Sequence, residues 1–246
     1  SASKWKIRLK YFIMGDSWGV GSYTRKPYMI PIPNTGLDHH LRKRGHLVTN
    51  ISAGSAGNFG QLRHAYWTLD ENADYDFIIW FHTESLRDII EICMQDPEEA
   101  KRQFPLFKMH VEFNKVLDYV DDQNYIYAQQ IYQEFGIPFI VIDGQSPFNF
   151  QLGQDHFVKH HIKWLKQLLE FDSNAPRYSF GAWQKIQMIL EHYSISEREF
   201  IIENLEDLDA SELVIELGEH SDLFPDNGHP SSDCFRELAE QIELLG

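Results

Sequence analysis

Short apolar runs alternate with longer segments of mixed polarity along the first part of the chain. Four runs are apolar enough to predict buried strands, at residues 5–14, 46–51, 77–81 and 137–142. Helices are predicted between them at about 37–45, 59–70 and 97–133, the last from apolar residues at helical spacing. Ile126, Ile131 and Phe135 are assigned to the next helix, which Gly136 ends. Alternating strands and helices predict an α/β fold around a parallel sheet.

The remaining third of the chain has a different pattern. Residues 155–220 predict a helical insertion, with helices at about 155–171, 179–193 and 196–207. A last helix is predicted over 232–244, with an apolar face directed at the sheet. The whole chain, 1–246, is predicted to form a single domain.

Two short motifs carry the candidate chemistry. The first predicted strand stops at Gly15-Asp16-Ser17, which delivers a hydroxyl to the carboxyl edge of the sheet, where open α/β folds bind ligands. A serine near neutral pH needs a base to act as a nucleophile. Asp226-Asn227-Gly228-His229 offers one, with a carboxylate three residues before an imidazole. Asp16 is expected to bond the backbone of the turn and so to position Ser17.

Together these motifs resemble the first and last blocks of the GDSL/SGNH hydrolase family. The resemblance implies a three-layer α/β/α sandwich with a flavodoxin-like strand order and no cofactor or metal. It implies Ser17 as nucleophile, His229 as base and Asp226 as the acid that orients the imidazole. It also implies an oxyanion hole made by the N–H groups of Ser17 and Gly57, with Gly54 as the alternative glycine.

The third block departs from that family. By register His82-Thr83-Glu84-Ser85 stands where the family has Gly-x-Asn-Asp, so Glu84 replaces an amide that donates to the oxyanion. An ionised carboxylate has no proton to donate and would repel an oxyanion. Glu84 is therefore either protonated, turned away or used for something else. Thr83, His82 and Asn58 remain open as substitute donors.

The function that the resemblance implies is hydrolysis of carboxylic esters, with substrates such as acetylated sugars, short acyl esters, lysophospholipids or thioesters. Among these we expect a small acyl group, with acetyl on a carbohydrate as the preferred case. The partner is then a small-molecule or carbohydrate ester. The altered third block keeps two other classes open: a binding or structural module on the same fold with weakened catalysis, and a hydrolase of phosphoesters or amides.

Charge and histidine content narrow the partners further. A net charge of −15 disfavours nucleic acid, whose binding needs clustered Lys and Arg. No apolar run is long enough to span a bilayer. Two cysteines form no disulfide framework and favour a cytoplasmic protein, although a leader removed before Ser1 stays open.

His156 and His160 at i,i+4 are interpreted as surface histidines rather than metal ligands, and Asp143 as a turn residue. The oligomeric state is not predicted.

Overall fold

A computed structural model describes residues 8–24, 30–85, 87–88, 113–144, 148, 157–164 and 229–245. Within these ranges the strands form a five-stranded sheet in the order β2-β1-β3-β4-β5. The strands are β1 (Lys10–Met14), β2 (Leu47–Asn50), β3 (Phe77–His82), β4 (Phe139–Asp143) and β5 (Val158–Ile162). Every neighbouring pair is parallel. The predicted α/β class and flavodoxin-like order are confirmed.

Helices cover both faces of the sheet, so the fold has three layers. They are α1 (Ser17–Val20), α2 (Leu37–Lys43), α3 (Asn58–Thr68), α4 (Phe113–Phe135) and α5 (Ser232–Glu243). One core cluster joins alternate strand residues such as Ile13 and Phe81 to α2 and α5. The other joins the intervening residues, such as Trp80, to α3 and α4. The near-continuous apolar runs of β1, β3 and β4 are explained by burial on both faces.

The close approach of β1 and β3 decides where β1 ends. Gly15 follows Met14 with φ +153°, and a Cβ placed there would lie 2.6 Å from the Cβ of Phe81. Only glycine fits this position without moving β3. The chain therefore leaves the sheet at Gly15 and places the next two residues at its carboxyl edge.

Two helix predictions are corrected. β5 lies where the helix at 155–171 is predicted, so that part of the helical insertion is wrong. Val158–Ile162 does not alternate strongly between apolar and polar residues, so its local sequence predicts no strand. It forms a strand because it pairs in parallel with β4. His160 accordingly lies on a strand, which removes the helical i,i+4 geometry with His156. Residues 165–228, which hold the rest of the insertion, lie outside the described ranges.

The second correction concerns α4, which runs without a break from Phe113 to Phe135. The sequence analysis assigns Val120 to one predicted helix and Ile126 to the next, which implies a boundary between them. In the structure Asp121 bonds Ser85 and Asn124 bonds Asp88, so these polar side chains hold the helix against its neighbours instead of ending it. None of the helices within the described ranges has the length and apolar content that a bilayer-spanning segment needs.

Candidate active site

Ser17 lies at the first position of α1, directly beyond the carboxyl end of β1. Asp16 is the N-cap of this helix and its Oδ1 accepts a hydrogen bond of 2.9 Å from Trp18 N. This is the usual way in which an aspartate satisfies an otherwise unpaired N–H in a first helical turn. This contact supports the expected role of Asp16 in positioning Ser17. Ser17 itself is only 7% exposed.

The imidazole of His229 meets the Ser17 hydroxyl across this edge. His229 Nε2 lies 2.9 Å from Ser17 Oγ, although the two residues are 212 positions apart in the chain. A hydroxyl and an imidazole at this distance can exchange a proton directly. Because Nε2 faces the serine, Nδ1 is the ring nitrogen left for an orienting carboxylate. Asp226, the predicted carboxylate, lies outside the described residues.

Contacts from the loop after α1 hold the histidine segment. The ring of Tyr23 packs on the imidazole of His229 with centroids 4.2 Å apart and planes tilted by 34°. Ser22 Oγ donates to the carbonyl oxygen of Pro230 over 2.9 Å. Burial, and then the charge of Asp16, raise the pKa of Tyr23, so its phenol stays neutral at physiological pH. A further contact of 3.0 Å joins His40 Nε2 and Ser232 Oγ.

Gly57 is the N-cap of α3 and is buried, whereas Gly54 is exposed. Gly57 offers no capping side chain, and the cap comes from Asp88, whose Oδ1 accepts a 2.8 Å bond from Phe59 N. Asp88 is itself held by Asn124 Nδ2 at 2.7 Å. A Cβ on Gly57 would collide with the Asp88 carboxylate. The close approach of Asp88 thus requires glycine at position 57, at the start of α3.

Asn58 and Thr83 connect the start of α3 to the residues that follow β3. Asn58 Oδ1 accepts from Thr83 N at 3.0 Å and from Trp80 Nε1 at 3.2 Å, while its Nδ2 donates to Thr83 O at 2.8 Å. The Thr83 hydroxyl donates to Asp16 Oδ2 at 2.8 Å. Its one proton is therefore directed at the N-cap carboxylate and not at a substrate.

Glu84 faces an arginine. Its side chain is 0% exposed, and its Oε2 lies 3.5 Å from Arg87 Nε. Arg87 Nη1 also lies 3.5 Å from Asp16 Oδ2. Burial alone would lower the pKa of Arg87, but the charges of Glu84 and Asp16 outweigh it and raise that pKa. Of the readings that the sequence leaves open for Glu84, the structure supports a role as partner of the guanidinium of Arg87, whose side chain is 15% exposed.

His82 and Asp143 lie further along the same edge, in the layer of α3 and α4. The His82 ring packs against Trp80 and Phe148, and its Nε2 is 3.9 Å from Asp121 Oδ1. Asp143 Oδ1 accepts from Phe148 N at 2.9 Å and lies 2.6 Å from His161 Nε2. Asp143 thus orders its own loop, in agreement with its interpretation as a turn residue.

The residues that sequence reasoning missed are Arg87, Asp88 and Tyr23. Arg87 and Asp88 come three and four residues after Glu84, and the unexplained carboxylate is the signal that could have prompted a search for a nearby cation. For Tyr23, no feature of the neighbouring sequence indicates that its ring contacts His229. Among the described residues no group of three or more His, Cys, Asp or Glu side chains is arranged to hold a metal ion.

No protein-family model matches this chain, and no curated protein sequence matches it. Among solved structures it is similar to a provisionally assigned arylesterase from Agrobacterium tumefaciens, at 11% identity and a TM-score of 0.43 over 96% of this chain and 97% of the other. It is also similar to a catalytic mutant of an acetylxylan esterase from Geobacillus stearothermophilus, at 15% identity and a TM-score of 0.42 over 98% and 95%. At these identities and TM-scores the likeness does not establish an activity for this chain.

Proposed function

We propose that this protein is a serine hydrolase of carboxylic esters, with Ser17 as nucleophile and His229 as general base. The observation that supports this most directly is the 2.9 Å separation of Ser17 Oγ and His229 Nε2 at the carboxyl edge of a parallel sheet. A module that only binds a partner has no need for this contact between residues at opposite ends of the chain.

In the proposed reaction Ser17 Oγ attacks the acyl carbon while His229 Nε2 takes its proton. The tetrahedral intermediate collapses, and the imidazolium returns the proton to the leaving alcohol. Water then attacks the acyl-enzyme with His229 again as base, which releases the acid and restores the hydroxyl. Asp226 is proposed to accept from Nδ1–H and to stabilise the imidazolium.

The negative charge on the acyl oxygen is proposed to meet the N–H groups of Ser17 and Gly57. Both lie where a helix begins, and N–H groups in a first helical turn have no intrahelical acceptor. Glu84 is not part of the proposed oxyanion hole, because its carboxylate is directed at Arg87. Loss of one donor typically lowers kcat by about 10²–10³, so an enzyme with two backbone donors is expected to turn over slowly.

For the substrate we propose a short acyl ester, with acetyl on a carbohydrate as the first candidate. This choice rests on the resemblance to the GDSL/SGNH hydrolase family. A series of p-nitrophenyl esters from acetate to octanoate tests the acyl length, and acetylated xylo-oligosaccharides test the alcohol. A preference for octanoate would contradict the proposal of a short acyl group.

The decisive experiment measures hydrolysis of p-nitrophenyl acetate by the wild type and by Ser17→Ala and His229→Ala. Both variants are expected to lose about 10³-fold or more in kcat. His64→Ala is the matched control, because His64 is an exposed histidine on α3, and it should retain full activity. A serine-directed fluorophosphonate should label the wild type at Ser17, as read by peptide mass spectrometry.

The alternatives give different results. A folded wild type without turnover and without label at Ser17 would overturn the proposal and favour a binding module. Turnover that survives Ser17→Ala would point to a different nucleophile, and turnover of phosphoesters but not carboxylic esters would assign a different bond.

A further inference from the structure

The outer face of α3 carries aromatic side chains that the core does not use. Leu62 and Ala65 of this helix are buried in the core cluster that also includes α4. Phe59 and Trp67, in contrast, are 37% and 72% exposed. Aromatic rings left in water contribute little to folding, so a surface that groups several of them is a candidate for ligand binding.

Arg63 connects the two exposed rings of α3. Phe59, Arg63 and Trp67 follow one another at intervals of four residues, so they share one face of the helix. Arg63 Cζ lies 6.0 Å from the ring centroid of Phe59 and 5.3 Å from that of Trp67. A guanidinium at these distances attracts both rings. The rings are therefore ordered before a ligand arrives, which lowers the entropic cost of stacking on them.

A groove beside this row of side chains lies between α3 and α4. It has a volume of about 460 Å³ and is lined by Tyr66, Tyr127, Gln130, Gln133 and Glu134. The hydroxyl of Tyr66 donates to Glu134 Oε2 over 3.4 Å and so joins the two walls. Phe59 contacts Tyr127 edge-on, with ring centroids 5.7 Å apart. The row and the groove thus form one continuous surface, which we call the α3–α4 surface.

The chemistry of the α3–α4 surface favours a carbohydrate. Its aromatic rings offer apolar faces on which the C–H groups of a sugar can stack. The side-chain amides of Gln130 and Gln133 and the carboxylate of Glu134 can donate to and accept from sugar hydroxyls. A lipid acyl chain would cover these polar groups without bonding them. The carboxylate, together with the net charge of −15, disfavours nucleic acid.

The course of α3 links this surface to the proposed catalytic centre. The N-cap of the helix is Gly57, the proposed oxyanion donor, and Phe59 follows two residues later. Trp67 lies ten residues beyond Gly57, which is about 15 Å along the helix axis. A single sugar does not span this distance, whereas an oligosaccharide does. A ligand that contacts both Ser17 and Trp67 therefore has to be a chain.

We propose that the α3–α4 surface binds the polysaccharide chain of the ester substrate, so that the acetyl groups removed at Ser17 are carried by a polymer. This inference rests on the proposed function for its part in catalysis. The binding itself is measured without turnover, so the two can fail separately.

Affinity electrophoresis in gels that contain soluble polysaccharide measures the binding. Xylan, glucomannan and hydroxyethylcellulose are the probes, and Ser17→Ala is the background in every variant, so that no ester is consumed. Ser17→Ala should be retarded by at least one probe. Adding Trp67→Ala should raise the dissociation constant about 2- to 12-fold, the range of one aromatic contact. Because Trp67 is 72% exposed, the variant should keep the unfolding temperature of its background.

Two other replacements of Trp67 separate stacking on a ring from simple apolar contact. Trp67→Phe keeps an aromatic face and should bind nearly as tightly as the background. Trp67→Leu keeps apolar volume without a ring and should bind as weakly as Trp67→Ala. A surface that docks a protein through apolar contact would accept leucine as well as phenylalanine.

Leu244→Ala is the matched control. Leu244 is a large apolar residue that is 88% exposed, but it is the C-cap of α5, in the helix layer on the opposite face of the sheet. Its replacement should leave the retardation by polysaccharide unchanged.

Kinetics with an active Ser17 show whether the binding serves the reaction. The value of kcat/KM for acetylated xylan, divided by that for p-nitrophenyl acetate, should fall about 2- to 12-fold in Trp67→Ala. The fall should come mainly from KM for the polymer, because the contact is lost equally from the ground state and the transition state.

Three results overturn the inference: no retardation by any of the polysaccharides, a Trp67→Leu that binds as tightly as Trp67→Phe, or weaker binding in Leu244→Ala. Self-association that is lost in Trp67→Ala, measured by light scattering, would also overturn it and assign the surface to contacts between copies. If polysaccharide binding depends on Trp67 but no turnover depends on Ser17, the proposed function fails and the binding surface stands. If turnover depends on Ser17 and no polysaccharide binds, only the inference fails.

Discussion

The two halves of the proposed catalytic pair are held in different ways. On the nucleophile side Ser17 follows directly from β1, the second strand of the sheet. The Asp16 carboxylate beneath it accepts a hydrogen bond from the hydroxyl of Thr83, the residue after β3, and lies 3.5 Å from the guanidinium of Arg87. Asp16 and Thr83 are buried, so their contact is removed from water and both partners are fixed by packing.

On the base side His229 precedes α5 and reaches the sheet edge through contacts with a loop. Tyr23 packs on its ring, and Ser22 bonds the carbonyl of Pro230. Both residues lie after α1, outside the sheet.

The difference separates stability from activity. Damage to the nucleophile side should unfold the protein and inactivate it together, because the same contacts join β1 to β3. Damage to the base side should reduce activity while the sheet stays intact. The three predictions that follow test this contrast, in order of decreasing effect.

Gly15→Ala should have the largest effect, because it attacks the junction of β1 and β3. The new Cβ would lie 2.6 Å from Phe81 Cβ and 3.0 Å from Phe81 O, at a φ of +153°. Overpacking and backbone strain together should cost about 2–6 kcal/mol in the free energy of unfolding, measured by urea denaturation.

Gly136→Ala is the control for this variant. Gly136 also has a positive φ, +68°, but a Cβ there would meet nothing within 4 Å. It should cost about 1–2 kcal/mol, the strain of a left-handed backbone alone. Equal losses for the two variants would show that the β1–β3 contact does not hold the nucleophile side.

The strands and helices next to this junction were predictable because they depend on local patterns. The apolar runs of β1, β3 and β4 and the helical spacing of α3 and α5 are visible without knowledge of their partners. β5 was missed because Val158–Ile162 becomes a strand through pairing with β4, and pairing partners are not encoded within five residues. The break predicted between Val120 and Ile126 is wrong for a related reason, since Asp121 and Asn124 have hydrogen-bond partners that are distant in the sequence.

Some residues of the candidate site could likewise be predicted from the sequence, and others could not. Ser17 and His229 could be proposed from short motifs, because the residue types themselves carry the chemistry. The contacts of Asp16 with Thr83 and Arg87 span 67 and 71 positions, and they depend on which strands become neighbours. The sequence showed that a carboxylate at position 84 is unfit for an oxyanion hole, but not which cation it would meet.

Tyr23→Leu should have an intermediate effect, and mainly on activity. Leucine fills part of the volume but removes the aromatic face that packs on His229. Aromatic pairing contributes about 0.5–1.5 kcal/mol, so kcat/KM for p-nitrophenyl acetate should fall roughly 2- to 12-fold, measured by steady-state kinetics. Tyr23→Phe keeps the ring and should stay close to the wild type. If the Leu and Phe variants are equally active, the ring does not position the base.

Ser22→Ala should have the smallest effect, because it removes one hydrogen bond, from Ser22 Oγ to Pro230 O. A single bond of this kind is worth about 0.5–1.5 kcal/mol. Only a part of that should reach the reaction, because Tyr23 still packs on His229. We therefore expect kcat to fall about two- to fivefold with KM unchanged, since the change displaces the base and not the substrate.

Thr68→Val is the matched control for Ser22→Ala, because Thr68 Oγ1 also donates to a backbone carbonyl, that of His64, within α3. It should leave kcat unchanged. If Ser22→Ala also leaves kcat unchanged while Tyr23→Leu lowers it, the ring alone holds the base. If neither variant lowers kcat, the histidine must be fixed by the packing of α5 on the sheet. The base side would then be as firmly built into the core as the nucleophile side, and the contrast between the two would be lost.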